Sequence, residues 1–181
     1  MRVEPASAVE PESHYPEILY RYGEPDAAYA VIMDLTRTGR ARREYPEVSF
    51  STIGAIVNGL MGINVEPAVP IDSATQSKPF ETVVRTLPQL TAGTKWAELR
   101  NLPIGNSTIT VRHDGDRRTI LINKGEAELS WKPAFPGAYA TLVVNGKTVS
   151  AHTESRYFGR SVTWVRVQVA VGKSGRVEVP K

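Results

Sequence analysis

The sequence predicts an α+β protein, an N-terminal helix pair followed by an antiparallel β-sandwich. Three observations predict it. Up to about residue 63, apolar residues recur at the 3.6-residue period of a helix. Residues 64–81 then hold prolines and no period at all. From residue 82 onward, short β-branched runs alternate at period two and are separated by Asp-Gly and Asn-Gly pairs. The expected organisation is therefore a helical region over 1–63 that includes an N-terminal tail, a linker over 64–81, and a sandwich over 82–181.

The first helix is expected at 25–36. Pro25 suits a first turn, and Glu24 and Asp26 favour the positive end of the helix dipole. Ala28, Val31, Ile32 and Leu35 fall on one face, so this helix should be an outer, one-sided element. The second is expected at 46–61, opened by Tyr45-Pro46-Glu47. Its apolar residues, among them Val48, Phe50, Ile53, Ile56, Val57 and Leu60, surround the whole circumference, and Gly54 and Gly59 leave room for close neighbours. Such a helix needs protein on every side, and one amphipathic helix cannot cover it.

In the C-terminal region, Ile109–Arg112 and Thr119–Ile122 flank Asp114-Gly115, while Thr141–Val144 and Lys147–Val149 flank Asn145-Gly146, each a hairpin signature. Ser161 to Val171 reads as one half-buried strand with a single break of register. Strands at this spacing suit a sandwich of about 100 residues.

Composition narrows the functional classes. No apolar stretch approaches the roughly 20 residues of a membrane-spanning helix, and the acidic, proline-bearing N-terminus does not read as an export signal. The absence of cysteine excludes disulfides, thiol catalysis and thiolate metal sites. Residues 101–181 carry 12 Lys/Arg against 6 Asp/Glu. Those cations, including Arg112, Lys132, Arg156 and Arg160, stand singly along strands and read as a solvated face, so no nucleic-acid partner is expected. His14, His113 and His152 lack ligand spacing and read as surface or turn residues, so no metal and no cofactor is expected. Gly172-Lys173-Ser174 lacks the earlier glycine of a phosphate loop, and Asn106-Ser107-Thr108 is a glycosylation sequon. The aromatic residues Trp96, Trp131, Trp164, Phe135, Tyr139, Tyr157 and Phe158 suit either a sandwich core or a platform for sugar rings.

The densest chemistry lies in Arg42-Arg43-Glu44-Tyr45-Pro46-Glu47, two carboxylates, two guanidiniums and a phenol where the outer helix gives way to the apolar one. A helix N-terminus and nearby arginines favour an ionised Glu47, which suits a general base and equally suits plain helix capping.

The run from Arg43 to Phe50 and on to Gly59-Leu60-Met61-Gly62, then Arg85-Thr86-Leu87-Pro88-Gln89-Leu90, Trp96-Ala97-Glu98-Leu99 and Asn101-Leu102-Pro103-Ile104-Gly105, resembles the C-terminal end of the six-hairpin glycosidases. These include glucoamylase-like, trehalase-like and glycosyl hydrolase family 63-like proteins. The resemblance covers roughly residues 15 to 160 and implies that the two helices are the last hairpin of an (α/α)6 barrel whose other ten helices precede them. It also implies a carbohydrate substrate, the remainder of the barrel as partner, and a base carboxylate between the last two helices. Glu47 is then the first catalytic candidate and Glu44 the second, with Tyr45, Arg42 and Arg43 as candidate substrate-binding residues. The acid would come from an earlier helix pair, so this chain alone is expected to be inactive. The alternative is a non-catalytic β-sandwich that binds carbohydrate or supports another domain.

Overall fold

The computed structural model describes residues 9–39, 46–67, 82–156 and 159–181. A one-turn helix α1 (Val9–Glu12) precedes α2 (Tyr15–Tyr22), α3 (Pro25–Leu35) and α4 (Glu47–Gly54), and α4 runs directly into a π-helical segment, Ala55–Leu60. The two expected helices are therefore present as 25–35 and 47–60. Helix α2 was not anticipated, although it opens with Tyr15-Pro16-Glu17, the same three residues that open the apolar helix. Among the described residues, no helix is long and apolar enough to cross a membrane.

Among the described residues twelve strands follow, arranged as two sheets. In the first, β1 (Asn64–Pro67), β2 (Thr82–Thr86), β6 (Leu129–Pro136), β10 (Ser161–Trp164) and β9 (His152–Ser155) lie side by side, and β11 (Val167–Val169) also pairs with β6. The β2–β6 pair is parallel, and every other pair is antiparallel. The second sheet is wholly antiparallel, in the order β3 (Trp96–Ile104), β4 (Ser107–Asp114), β5 (Arg118–Asn123), β12 (Ser174–Glu178), β7 (Thr141–Val144) and β8 (Lys147–Ser150).

Both expected hairpins form. At the second, Asn145 and Gly146 have φ of 48° and 84°, the left-handed pair that a two-residue turn requires between Val144 and Lys147. The stretch expected as one strand over 161–171 is split at Val165-Arg166, and both halves run along β6. Opposite the split stands Pro133, which has no N–H to offer the ladder.

Between the sheets, Trp131 and Phe135 of the first meet Ile109, Val111, Leu121, Leu142 and Val177 of the second, all fully buried. Gly175 makes space for the Trp131 ring: a Cβ there would stand 2.9 Å from its Cζ3. The indole N–H donates to Thr86 Oγ1 at 3.0 Å, which leaves no polar atom of the ring unpaired in the core. The core continues without interruption into the helical layer through Tyr20, Ala28, Ile32, Ala55, Leu60, Met61 and Ile63.

The apolar helix is covered on one side only. Ala55, Gly59 and Leu60 are buried, whereas Phe50 and Ile53 are 68% and 57% exposed. The uncovered apolar surface is thus confined to the first half of this helix, because Leu60 is buried in the core and Val57 is half-buried against it. The two glycines also differ. Gly54 has open space around it, while a side chain on Gly59 would run into the ring of Tyr20.

Gly59→Ala should therefore destabilise the fold by about 1–3 kcal/mol through overpacking. Gly54→Ala, at helical φ −57° and ψ −44°, should stabilise it by about 0.4–1 kcal/mol. Urea unfolding of both variants checks this contrast, and shifts of equal sign would refute it.

Candidate functional site

Where the helical layer meets the first sheet, the end of the π-helical segment is held by the sandwich. A helix leaves its last carbonyls without intrahelical partners. Here Gly59 O accepts from Gln89 Nε2 at 2.8 Å, Leu60 O from the Gln89 amide at 3.1 Å, and Met61 O from His113 Nε2 at 2.9 Å. Gly62 then turns the chain at φ 54°, so close to Leu87 that any side chain would meet its carbonyl. His113 is a correction to the sequence reading: it is fully buried near the end of a strand and not at the surface. The Met61 carbonyl can only accept, so Nε2 carries the proton and Nδ1 accepts from Thr119 Oγ1 at 2.8 Å. Burial pushes its pKa down to about 4, against the smaller opposing effects of the Met61 hydrogen bond and Asp114.

Beside this junction lies a cleft of about 640 Å³. Tyr20 and Gly59 line it from the helices, and Arg85, Leu87 and Gln89 from β2 and the loop beyond. Strand β2 is covered on both faces: Val84 joins the central core and Thr86 meets Trp131, while Arg85, at the alternate parity, belongs to the opposite face. On that outer face the pairing register sets Arg85 directly beside Lys132. Two like charges side by side repel, and Glu66 and Glu154 offset them. Lys132 Nζ lies 3.2 Å from Glu66 and 3.3 Å from Glu154, and Glu154 also holds Arg156 at 3.2 Å. Lys132 further rests over the Trp164 ring at 4.4 Å, and His152 stacks on the same indole at 4.6 Å. The reading of these cations as a solvated face is thus corrected for Lys132, which is buried, and for Arg156, which is half-buried.

Sequence reasoning passed over Arg85, Glu66 and Tyr20. A signal was there for Arg85: a lone guanidinium inside Thr-Val-Val-Arg-Thr, a run apolar enough to be buried, breaks the expectation for a core strand. Nothing local marks Glu66 or Tyr20.

Of the residues singled out from sequence, Glu47 opens α4 and is exposed, with no side-chain partner among the described residues. Glu44, Tyr45, Arg42 and Arg43 lie outside the described residues. Glu47 and the cleft residue Asn58 are eleven positions apart, roughly 16 Å along a helix axis, so the cleft does not include the carboxylate. Among the aromatics, Trp131 and Phe135 are core. Trp96 is 54% exposed, with Arg112 over its ring at 4.6 Å, and Tyr157 and Phe158 lie outside the described residues. Among the described residues, no group of three or more His, Asp or Glu could hold a metal ion.

No protein-family model matches the chain, and no curated protein matches it.

The His113 junction has a pH signature. Its folded pKa lies below the ordinary 6.5, so on acidification the unfolded chain takes the proton first. The stabilisation is present in full above pH 6.5 and is lost as pH falls towards 4, on the order of 3 kcal/mol in all. Urea unfolding at pH 7.5, 5.5 and 4.5 should show the loss. His113→Phe should cost about 2–4 kcal/mol at pH 7.5, because it strands the buried Met61 carbonyl, and should flatten the dependence over this window. An imidazole titrating near 6.5 by NMR would contradict the assignment.

Proposed function

We propose that this chain is the C-terminal part of a glycoside hydrolase of the six-hairpin class acting on an oligo- or polysaccharide. In this reading, α3 and the helix over 47–60 are the last hairpin of an (α/α)6 barrel, and the strands form its β-sandwich. The observation that carries the reading is the outward side of the helical layer. Phe50 and Ile53 of α4, Tyr29 and Met33 of α3, and Tyr15, Ile18 and Tyr22 of α2 are all exposed. Apolar surface of this extent on one layer is the mark of a face that packs on further protein. A stand-alone sandwich has no use for such a layer, whereas a barrel hairpin needs neighbouring hairpins on that side.

Glu47 is then the general base and Glu44 the second candidate, with Tyr45, Arg42 and Arg43 around the sugar. A proline-led helix presents its first-turn carboxylate to the mouth of such a barrel, where it can deprotonate a water. The partner acid comes from an earlier helix pair, because inverting hydrolysis needs two carboxyl groups roughly 6.5–9.5 Å apart. Exposed Trp96 on β3 favours a second reading, a sandwich that binds carbohydrate without cleaving it, since an exposed indole can stack on sugar rings.

Two measurements separate these readings. The isolated chain should bind a hydrophobic dye and self-associate, and should hydrolyse nothing in a glycan panel; a monomer without dye binding favours the binding module. In the protein that includes the upstream helices, Glu47→Gln should lower kcat by on the order of 10²–10⁴. A capping residue would lose only about 1 kcal/mol of stability and no turnover. If Glu44→Gln is inactive while Glu47→Gln is not, the base is Glu44, and if both turn over normally, the hydrolase reading fails.

A further inference from the structure

On the outer face of the second sheet, charges that stand singly along the sequence come together. Register sets Trp96, Asp114, Arg118, Glu178 and Val143 in one row across β3, β4, β5, β12 and β7, and Glu98, Arg112, Ile120 and Arg176 in the row beside it. These positions alternate with Val111, Leu121 and Val177, which are fully buried in the core, so they belong to the opposite face. Neighbouring strands lie about 4.8 Å apart, and the first row is therefore about 19 Å long, enough for a chain of several sugars.

Ion pairs hold the guanidiniums of this face in place. Arg112 lies between Asp114 at 2.9 Å and Glu98 at 3.5 Å, Arg118 rests on Asp114 at 2.8 Å, and Arg176 on Glu178 at 2.7 Å. In each pair the cation is outermost: the three arginine side chains are 37–51% exposed, the three carboxylates 14–30%. An approaching molecule meets the guanidiniums first. Each also keeps a terminal nitrogen without a partner among the described residues, Nη2 on Arg112 and Nη1 on Arg118 and Arg176. Exposed ion pairs add little to stability, so the fold by itself does not require this array.

Along the same rows, a shallow depression of about 610 Å³ sets Arg117, Arg118, Arg176 and Lys181 against Asp114 and Glu178, four positive charges to two negative. At the rim, exposed Lys95 and Arg100 outnumber exposed Asp116. Trp96 closes the row on the edge strand β3: Arg112 steadies one side of its ring at 4.6 Å, and the indole is still 54% exposed. We propose that this face binds a chain of uronate-bearing sugars, with a sugar ring stacked on Trp96 and sugar carboxylates accepting from the open nitrogens of Arg118 and Arg176. The excess of cations favours an acidic chain over a neutral one, and a planar guanidinium matches the geometry of a carboxylate. Single-stranded nucleic acid needs aromatic rings for successive bases, and this face has one exposed indole among the described residues. The inference rests on the carbohydrate-binding reading of the sandwich, for which it names the surface and the class of sugar, and it does not involve Glu47.

The test is calorimetric titration of the full chain with hexagalacturonate, a panel of neutral oligosaccharides that includes maltohexaose, and an oligothymidylate. Hexagalacturonate should bind saturably, and more weakly at physiological than at low salt. Maltohexaose should bind at least about 10-fold more weakly than hexagalacturonate. Trp96→Ala should weaken hexagalacturonate binding at least about 10-fold, and Arg176→Ala about 3- to 10-fold. Both side chains are exposed, so neither replacement opens a cavity in the core. Arg166→Ala removes an exposed cation between β10 and β11, in the other sheet, and should leave the affinity unchanged. If the chain binds no glycan at all, the carbohydrate-binding reading and this site fail together. If it binds a glycan and neither Trp96→Ala nor Arg176→Ala weakens the binding, that reading stands and the site is overturned. The site is also overturned if maltohexaose binds as tightly as hexagalacturonate, if Arg166→Ala weakens binding as much as Arg176→Ala, or if the oligothymidylate binds more tightly than hexagalacturonate.

Discussion

The interaction on which the rest of the architecture depends is the capping of one helix end by side chains from the sandwich. The π-helical segment finishes with three carbonyls that its own backbone cannot satisfy in full, and Gln89 and His113 supply donors to them. His113 belongs to β4 and its other partner, Thr119, to β5, so one imidazole joins the helix end to the second sheet, while Gln89 joins it to the loop after β2 of the first. The imidazole can do so only as the neutral tautomer with its proton on Nε2, and burial maintains that state.

Fixing the helix end places everything beside it. Gly59 sits against the Tyr20 ring, so α2 packs on the π-helical segment through this ring, against bare backbone. Arg160 extends the same junction, donating to Gly23 O and pairing with Glu24 at 3.0 Å, and so ties the α2–α3 corner to the start of β10. The cleft is the space left where these elements meet without filling the corner. Its polar lining follows from the alternation of β2, which must present one side-chain face to the sandwich core and the other to the helices.

The outer face of the first sheet departs from the usual division of apolar inside and charged outside. Arg85 and Lys132 are buried side by side, a placement that costs free energy unless anions and donors are close at hand. Glu66 comes from the edge strand β1 and Glu154 from the opposite edge strand β9, so the compensation depends on register across the sheet. The helical layer shows the converse, apolar side chains such as Phe50 and Ile53 left facing solvent. Both departures lie on surfaces where sequence-level rules of burial break down, and such places are where function or partners are sought.

What the sequence by itself determined was local. Proline and a carboxylate in the first turn marked the helices at 25–35 and 47–60, and Asn145-Gly146 specified a hairpin because only such residues tolerate two consecutive left-handed conformations. Alternating β-branched residues fixed which strands would face a core. The same signals would have located α2, whose Tyr-Pro-Glu start went unread. What only the tertiary structure decided was pairing between distant positions. The burial of His113 depends on a carbonyl 52 residues away, and the companionship of Arg85 with Lys132 depends on a parallel register between strands that no hairpin connects. Neither leaves a periodic trace, because a single buried polar residue is chosen by the one group it meets in space and not by its neighbours along the chain.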